Sequence, residues 1–151
     1  MSIPIIQAPS ILLPTWHPLN TEHEDITDLV EHTSQEVYIA DIHEKVIHIV
    51  AVENWAGGVI GALNVWVELS PVSSATAAGY WAAIGGGGGT QAPTAPLAIA
   101  ANNAVPGDTH TELMPWVIHS HWCRVVVQCP VNALPLVDYW QVQIVLAGKT
   151  P

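Results

Sequence analysis

The sequence has very few positive charges. Of its 151 residues only three are Lys or Arg, against 13 that are Asp or Glu, so the formal net charge is −10. The three fixed cations are Lys45, Arg124 and Lys149. Three cations cannot form the basic patch that nucleic-acid phosphates or anionic membranes require. The sequence therefore predicts that the protein binds neither nucleic acid nor membrane.

Membrane-spanning and targeting segments are also lacking. The sequence contains no stretch of about 18 continuous apolar residues, so no transmembrane helix is expected. Residues 1–4, MSIP, begin the chain without a basic region followed by an apolar one. This predicts that there is no secretory signal and that the chain is made in a cytoplasm.

Cysteine is scarce, with Cys123 and Cys129 as the two examples. If residues 122–129 form one strand, the two cysteines lie roughly 20 Å apart along it. A disulfide needs Cα atoms within about 7 Å of each other. The pair is therefore predicted to be two buried, reduced thiols, and no CxxC motif suggests a metal site.

Apolar residues, in contrast, make up 50% of the chain, and the charge that could cover them is unevenly placed. Eight of the 13 acids lie between Glu22 and Glu44. A free soluble protein usually keeps a mixed, charged surface. The sequence therefore predicts that much of this surface faces other protein subunits. The charged residues after Glu53 are Glu68, Asp108, Glu112, Arg124, Asp138 and Lys149.

The first 20 residues are predicted to form an apolar, proline-rich arm ahead of one domain at 21–151. Prolines at four positions exclude a helix or a central strand, so the arm must lie on its own domain or on a neighbouring subunit. A second candidate contact is the Gly/Ala/Pro-rich loop at 71–106, which contains an aromatic pair. The side chains predicted to make oligomer contacts are Ile5, Ile6, Ile11, Leu12, Leu13, Trp16, Tyr80 and Trp81.

One short helix is predicted over residues 21–33. Thr21 suits the N-cap with Glu24 at the capping-box position, and Ile26, Leu29 and Val30 form one apolar stripe.

From residue 35 onward, alternating apolar positions predict strands at 36–43, 45–53, 62–69, 112–120, 122–129 and 139–146, with a turn at residues 43–44. The pattern predicts an antiparallel β-sandwich or jelly roll. The side chains predicted to point inward are Leu63, Val65, Val67, Leu69, Cys123, Val125, Val127, Cys129, Trp140, Val142, Ile144 and Leu146, whereas Trp66 and Trp122 are predicted to point outward.

Motifs for catalysis are weak or absent. His119 and His121 form an H-x-H pair of the kind that binds zinc or iron on β-barrels, but Val125 stands where the cupin signature has an acid. No G-x-S-x-G or P-loop occurs, and the acids at 22–31 lack EF-hand spacing. The sequence predicts neither an enzyme nor a cofactor. Neighbouring acids could make His17, His23 and His32 titrate near neutrality at a subunit contact.

Seven tryptophans are many for this length. Exposed tryptophan on a sandwich stacks sugars in carbohydrate-binding modules and also anchors protein interfaces. Trp66, Trp81 and Trp122 are the candidates for sugar binding. The interface interpretation is favoured because few charges accompany these residues.

The segments LNVWVELSP, YWAAIGGGGG, HSHWCRVVVQCP and YWQVQIVLAGK together resemble the small all-β structural proteins of phage and other virus particles. The resemblance covers residues 36–149 and carries no site residues. It implies a non-enzymatic, self-associating virion subunit that contacts other structural proteins. Alternatives are an extracellular filament or sheath subunit assembled by strand addition, a carbohydrate-binding sandwich, and a metal-dependent cupin-like enzyme at His119 and His121.

Overall fold

The computed structural model describes residues 11–12, 24–56, 58–84, 96–115 and 120–149, with the backbone alone at 11–12, 43–45, 114–115 and 147–149. Strands dominate these residues, joined by turns and by one 3₁₀ turn at Ala78–Tyr80. The strands are β1 Ile11–Leu12, β2 Glu24–Ile26, β3 His32–Thr33, β4 Val37–Tyr38, β5 His43–Asn54, β6 Leu63–Ser70, β7 Ala82–Ala83, β8 Leu97–Ile99, β9 Thr109–Pro115, β10 Trp122–Gln128 and β11 Tyr139–Lys149.

The strands form two antiparallel sheets. In sheet A, β11 lies between β5 and an edge made of β1 and β2, and β9 pairs with the far side of β5. In sheet B, β10 lies between β6 and an edge made of β3 and β4, and β7 and β8 pair with the far side of β6. Each split edge follows one side of a long strand.

This strand order is that of a jelly roll. When each split edge is counted as one strand, sheet A runs β1/β2, β11, β5, β9 and sheet B runs β3/β4, β10, β6, β7/β8. Apart from β6 and β7/β8, which follow each other within sheet B, successive strands alternate between the sheets, as in the nested Greek-key order of an eight-stranded jelly roll. The predicted all-β sandwich is confirmed.

The core lies between the sheets and uses alternate residues of the long strands. All the side chains predicted to point inward are buried there, except Leu69, which is partly buried against the same core. Cys123 and Cys129 are buried, free thiols, as predicted. The agreement follows from the strict two-residue period of a strand, which sends every second side chain to the same face.

The helix predicted over 21–33 is wrong for the described residues of that segment. Glu24–Ile26 is a strand whose Ile26 lies opposite Trp140 of β11. The Asp28 carboxylate then accepts a hydrogen bond from the Val30 amide, which closes a bend before His32 begins the next strand. A short acidic segment gains little from helix propensity, so burial of Ile26 in the core decides its structure.

Two further boundaries differ from the prediction. The turn expected at 43–44 lies instead at residues 40–41, so β5 begins at His43. The expected loop at 71–106 is partly ordered: residues 71–84 turn back along β6, and β8 pairs with the first residues of β6. Residues 85–95 lie outside the described part of the chain.

The predicted arm is described only at Ile11 and Leu12. Their backbone pairs with Gly148 and Ala147 of the protein's own β11. The rest of residues 1–20 lies outside the described residues. Within the described ranges, no helix has the length and hydropathy needed to cross a membrane.

Candidate interaction surfaces

The two aromatic residues of the predicted loop contact have opposite environments. Tyr80 is 61% exposed, whereas Trp81 is buried. The Trp81 indole nitrogen donates a hydrogen bond to the Ser74 hydroxyl at 2.8 Å, and the Arg124 guanidinium lies 4.3 Å above the Trp81 ring. Trp81 therefore packs within its own chain, and of this pair only Tyr80 presents a ring to solvent.

The remaining predicted contact residues belong to the arm. Ile5, Ile6, Leu13 and Trp16 lie outside the described residues, and Ile11 and Leu12 are described by backbone alone. Their contribution to oligomer contacts stays a prediction.

Residues 71–84 cover the outer face of sheet B. Trp66, predicted to point outward, does so but is buried with Ala83 and Val126 in a second small cluster. The Glu68 carboxylate beneath residues 71–84 accepts hydrogen bonds from two guanidinium nitrogens of Arg124, at 2.6 and 2.7 Å. It also accepts one from the Trp66 indole N–H at 3.4 Å. Trp66 is therefore not available for stacking sugars, because its own chain covers it.

The histidines do not assemble a metal centre in the part of the chain that the structure describes. His121 is exposed and its Nδ1 lies 3.2 Å from the Pro71 carbonyl oxygen, while His119 lies outside that part. No group of three or more His, Cys, Asp or Glu side chains within the described ranges could hold a metal ion.

One histidine joins a buried acid. His110 Nε2 lies 2.6 Å from the carboxylate of Glu53, which is fully buried at the end of β5. The same carboxylate accepts hydrogen bonds from the backbone amides of Asn102 and Asn103, each at 3.0 Å. All three partners lie in or beside the β8–β9 loop, so the arrangement anchors this loop.

A second histidine bridges the two sheets among acids. His32 of β3 lies 2.8 Å from Asp28 and 3.4 Å from Glu24 of β2. The hydrogen bond from His32 holds the pKa of Asp28 below its usual value, whereas burial raises the pKa of Glu24. The environment predicted for His32 among carboxylates is thus present, and it connects the β2–β3 bend to both sheets.

Exposed aliphatic side chains gather on three loops at one end of the sandwich. These loops, at 55–62, 100–108 and 129–138, join strands of opposite sheets at the end where Asn54 pairs with Tyr139 and Asn64 pairs with Gln128. We call their exposed aliphatic side chains the apolar loop end. It consists of Val59, Val105, Val131, Leu134, Leu136 and Val137.

Hydrogen bonds fix the three loops to one another. The Asn103 side chain accepts from the Ile60 amide at 2.8 Å and donates to the Ile60 carbonyl at 3.4 Å. Asn103 has a φ of 53°, a left-handed conformation that asparagine tolerates. The buried Asp138 accepts from the Ala56 amide at 3.0 Å, and Gly61 lies so close to the Val131 carbonyl that a Cβ would overlap it. These contacts tie the backbones of the three loops to one another.

Charge is nearly absent from these three loops. Asp138 is buried, which leaves Asp108 as the one partly exposed ionisable side chain on them. Leu136 is 80% exposed and Val131 74%. These aliphatic side chains are highly exposed, and few charges surround them on the three loops. Such a surface is typical of a protein interaction site.

Sequence reasoning found only part of this surface. Val105 falls within the predicted contact loop at 71–106, but the sequence predicts residues 130–137 only as a proline-bounded connection between strands. A signal was present in that segment, PVNALPLVD, which places four large aliphatics among turn-forming residues and one acid. Apolar side chains in such a loop segment have no inward sheet face that would bury them.

A solved bacterial structure is a distant structural neighbour of this chain. No family model matches the sequence, and no curated protein matches it. Among solved structures, the chain is similar to dimeric latent PorU from Porphyromonas gingivalis, with 10% sequence identity and a TM-score of 0.48. The match covers 99% of this chain and 13% of the PorU chain.

Proposed function

We propose that the protein is a non-enzymatic structural subunit that associates with further copies of itself through the apolar loop end. The observation that carries this proposal is the set of six exposed aliphatic side chains on three hydrogen-bonded, nearly uncharged loops. Burying them against a partner would remove apolar surface from water, at about 25 cal/mol per Å².

The charge distribution favours a second copy at this surface. With a net charge of −10, two copies repel each other across most orientations. At the loop end that repulsion is small, since its exposed large residues are aliphatic and Asp108 is the one partly exposed ionisable side chain on its loops. Contact of the loop end with itself is a two-fold arrangement, the commonest symmetry of oligomers.

The buried acids add support. Glu53, Glu68 and Asp138 are all buried, so three of the few charges from residue 53 onward give no cover against solvent. The exposed surface of this region is therefore even poorer in charge than the sequence suggests, which is the condition expected of a subunit whose faces are covered in an assembly.

A virus particle is the setting that we propose for the assembly. Jelly rolls occur in viral capsids, but also in lectins and cupins, so the fold is compatible with this setting without selecting it. The alternative is an extracellular filament built by strand addition. It is favoured by β9, an edge strand that pairs on one side only, with β5, within the described residues.

The test is the mass of the protein in solution by analytical ultracentrifugation, with negative-stain microscopy of the same samples. We expect concentration-dependent dimers of the natural chain through the loop end. Closed rings or particles in the virion case, and open filaments in the strand-addition case, require a second contact that joins the dimers, such as the arm or β9. Leu134→Asp should shift the protein toward monomer. Leu113→Asp on β9 is the matched comparison, since Leu113 and Leu134 are 56% and 57% exposed; it should leave association through the loop end unchanged and disturb only assembly by strand addition at β9.

Two outcomes would count against the proposal. A natural chain that remains monomeric at all accessible concentrations would remove its basis, as would equal effects of Leu134→Asp and Leu113→Asp. Deleting residues 1–16 tests the arm separately, and the arm hypothesis expects a folded domain that assembles poorly. Because Ile11 and Leu12 pair with β11, the thermal stability of the deleted chain must be measured alongside its mass.

A further inference from the structure

Three aromatic rings meet at the corner of sheet B opposite the apolar loop end. Tyr38 of β4 and Trp122 of β10 are direct register partners, with ring centroids 5.4 Å apart and planes at 66°. His121 precedes Trp122, and its ring is parallel to that of Tyr38, within 6°, at 6.3 Å. We call these three side chains the aromatic corner.

The aromatic corner is open to solvent, unlike most of the described aromatic surface. Tyr38 is 48% exposed, His121 is exposed and Trp122 is partly exposed. Trp66, Trp81 and Trp140 are buried, and Trp55 packs against the core. Trp122 is therefore the tryptophan of the described residues that stands beside other exposed rings.

Backbone and side-chain hydrogen bonds hold the corner rigid. The His121 carbonyl accepts from the Ile39 amide at 2.7 Å, and the Ser120 hydroxyl donates to the Ser70 carbonyl at 2.8 Å. His121 Nδ1 faces the Pro71 carbonyl at 3.2 Å. Since a carbonyl can only accept, Nδ1 carries the proton and Nε2 is left as an acceptor in the neutral ring. A rigid site loses little conformational entropy on binding.

Three polar atoms of these rings are not used by the described residues. The Tyr38 hydroxyl, His121 Nε2 and the Trp122 indole N–H make no hydrogen bond to the described parts of the chain. The corner therefore combines apolar ring faces with one acceptor, one donor and one hydroxyl that can do either. A pyranose has the complementary character, with an apolar C–H face and a rim of hydroxyl groups.

We propose that the aromatic corner binds a neutral carbohydrate, with a sugar ring stacked on Tyr38, a second apolar contact on the Trp122 ring inclined at 66° to it, and sugar hydroxyls bonded to the polar ring atoms. A neutral ligand is favoured because the net charge of −10 repels anions. Arg124, the cation on the same strand, is held by Glu68. This site is independent of the proposed self-association, since the apolar loop end lies at the other end of β10.

The competing interpretation is a cross-strand aromatic pair that only stabilises the sheet edge. Titration of the full chain with cellohexaose, chitohexaose and maltohexaose, followed by NMR of the aromatic side chains, separates the two. We expect at least one of these neutral glycans to shift the Tyr38, His121 and Trp122 resonances together and saturably. The preferred glycan identifies the linkage and the sugar.

Substitutions of tyrosine then test whether the sugar stacks on the Tyr38 ring. Tyr38→Ala should weaken binding roughly tenfold, since stacking contact is lost. Tyr38→Phe keeps the ring and should bind within about threefold of the natural chain. Tyr80→Ala is the matched control, because it removes an exposed tyrosine elsewhere and should leave affinity unchanged.

Several results would overturn the proposal. The absence of shifts at all three rings at about 10 mM of each glycan would do so, and so would shifts confined to other residues. Resonances of the corner that move with protein concentration, while staying fixed on addition of sugar, would identify a protein contact instead. If Tyr38→Ala fails to fold, the titration of the natural chain with Tyr38→Phe and Tyr80→Ala still decides.

Discussion

Replacing Glu53 with alanine should destabilise the fold by roughly 3–5 kcal/mol. Its fully buried carboxylate accepts three hydrogen bonds, from the amides of Asn102 and Asn103 and from His110 Nε2. A hydrogen bond to a charged group contributes about 1.5–3 kcal/mol. The sum is reduced because Asn102 is exposed and its amide can bond water once the carboxylate is gone. The loss is still a large share of the roughly 5–15 kcal/mol that stabilises a typical domain.

Urea unfolding followed by circular dichroism measures this loss. Glu53→Gln, which keeps one acceptor oxygen, should cost about half as much as Glu53→Ala. Glu112→Gln on the neighbouring strand is the control, because Glu112 is partly exposed, and it should stay within about 0.5 kcal/mol of the natural chain. A Glu53→Ala variant within about 1 kcal/mol of the natural chain would refute the view that this carboxylate anchors the β8–β9 loop.

Three further predictions concern single side chains. Gly61→Ala should destabilise the fold by at least about 1–3 kcal/mol, since the new Cβ would overlap the Val131 carbonyl, whereas Gly79→Ala meets no atom within 4 Å and should be nearly neutral in thermal unfolding. Burial raises the pKa of the Cys129 thiol, so Ellman's reagent should label it only after unfolding; rapid labelling of the native protein would contradict its buried position. Asp28→Asn should cost only a few tenths of a kcal/mol at pH 7, because Asp28 is half exposed. Because the pKa of Asp28 is lowered, the stability that this carboxylate contributes is present above its unfolded pKa of roughly 3.9 and is lost as the pH falls through its folded pKa. Urea unfolding should therefore show a smaller cost of Asp28→Asn near pH 3 than at pH 7.

The strand phases could be predicted because they rest on a period that long strands enforce throughout. In β10, Cys123, Val125 and Val127 all face the core, and the order of apolar and polar positions in the sequence is sufficient to place them. The order in which strands pair within each sheet could not be predicted from the sequence. That β11 lies between β5 and β2 depends on contacts between residues more than 80 positions apart, and no local pattern encodes them.

The predicted structure of short segments was wrong where tertiary contacts outweigh local secondary-structure preference. The sequence at 21–33 satisfies the rules of a helix N-terminus, yet Ile26 lies opposite Trp140 in sheet A. Three residues of strand suffice, because a fully buried isoleucine contributes more than the few tenths of a kcal/mol that separate helix propensities. The candidate sites could not be predicted for a related reason. The register that places Tyr38 opposite Trp122 depends on how the strands of the sheet pair.

The covering of Trp66 changes what the low charge of the chain implies. Composition alone predicts that much of the surface faces other protein subunits. Instead, residues 71–84 fold back on sheet B and cover Trp66, and the Arg124–Glu68 pair lies beside it. Part of the apolar surface of sheet B is therefore covered by the chain itself and not by a partner subunit. Two described surfaces still combine exposed apolar or aromatic groups with little nearby charge, the apolar loop end and the aromatic corner. They lie at opposite ends of β10, so a subunit could associate through one and hold a ligand at the other without competition between them.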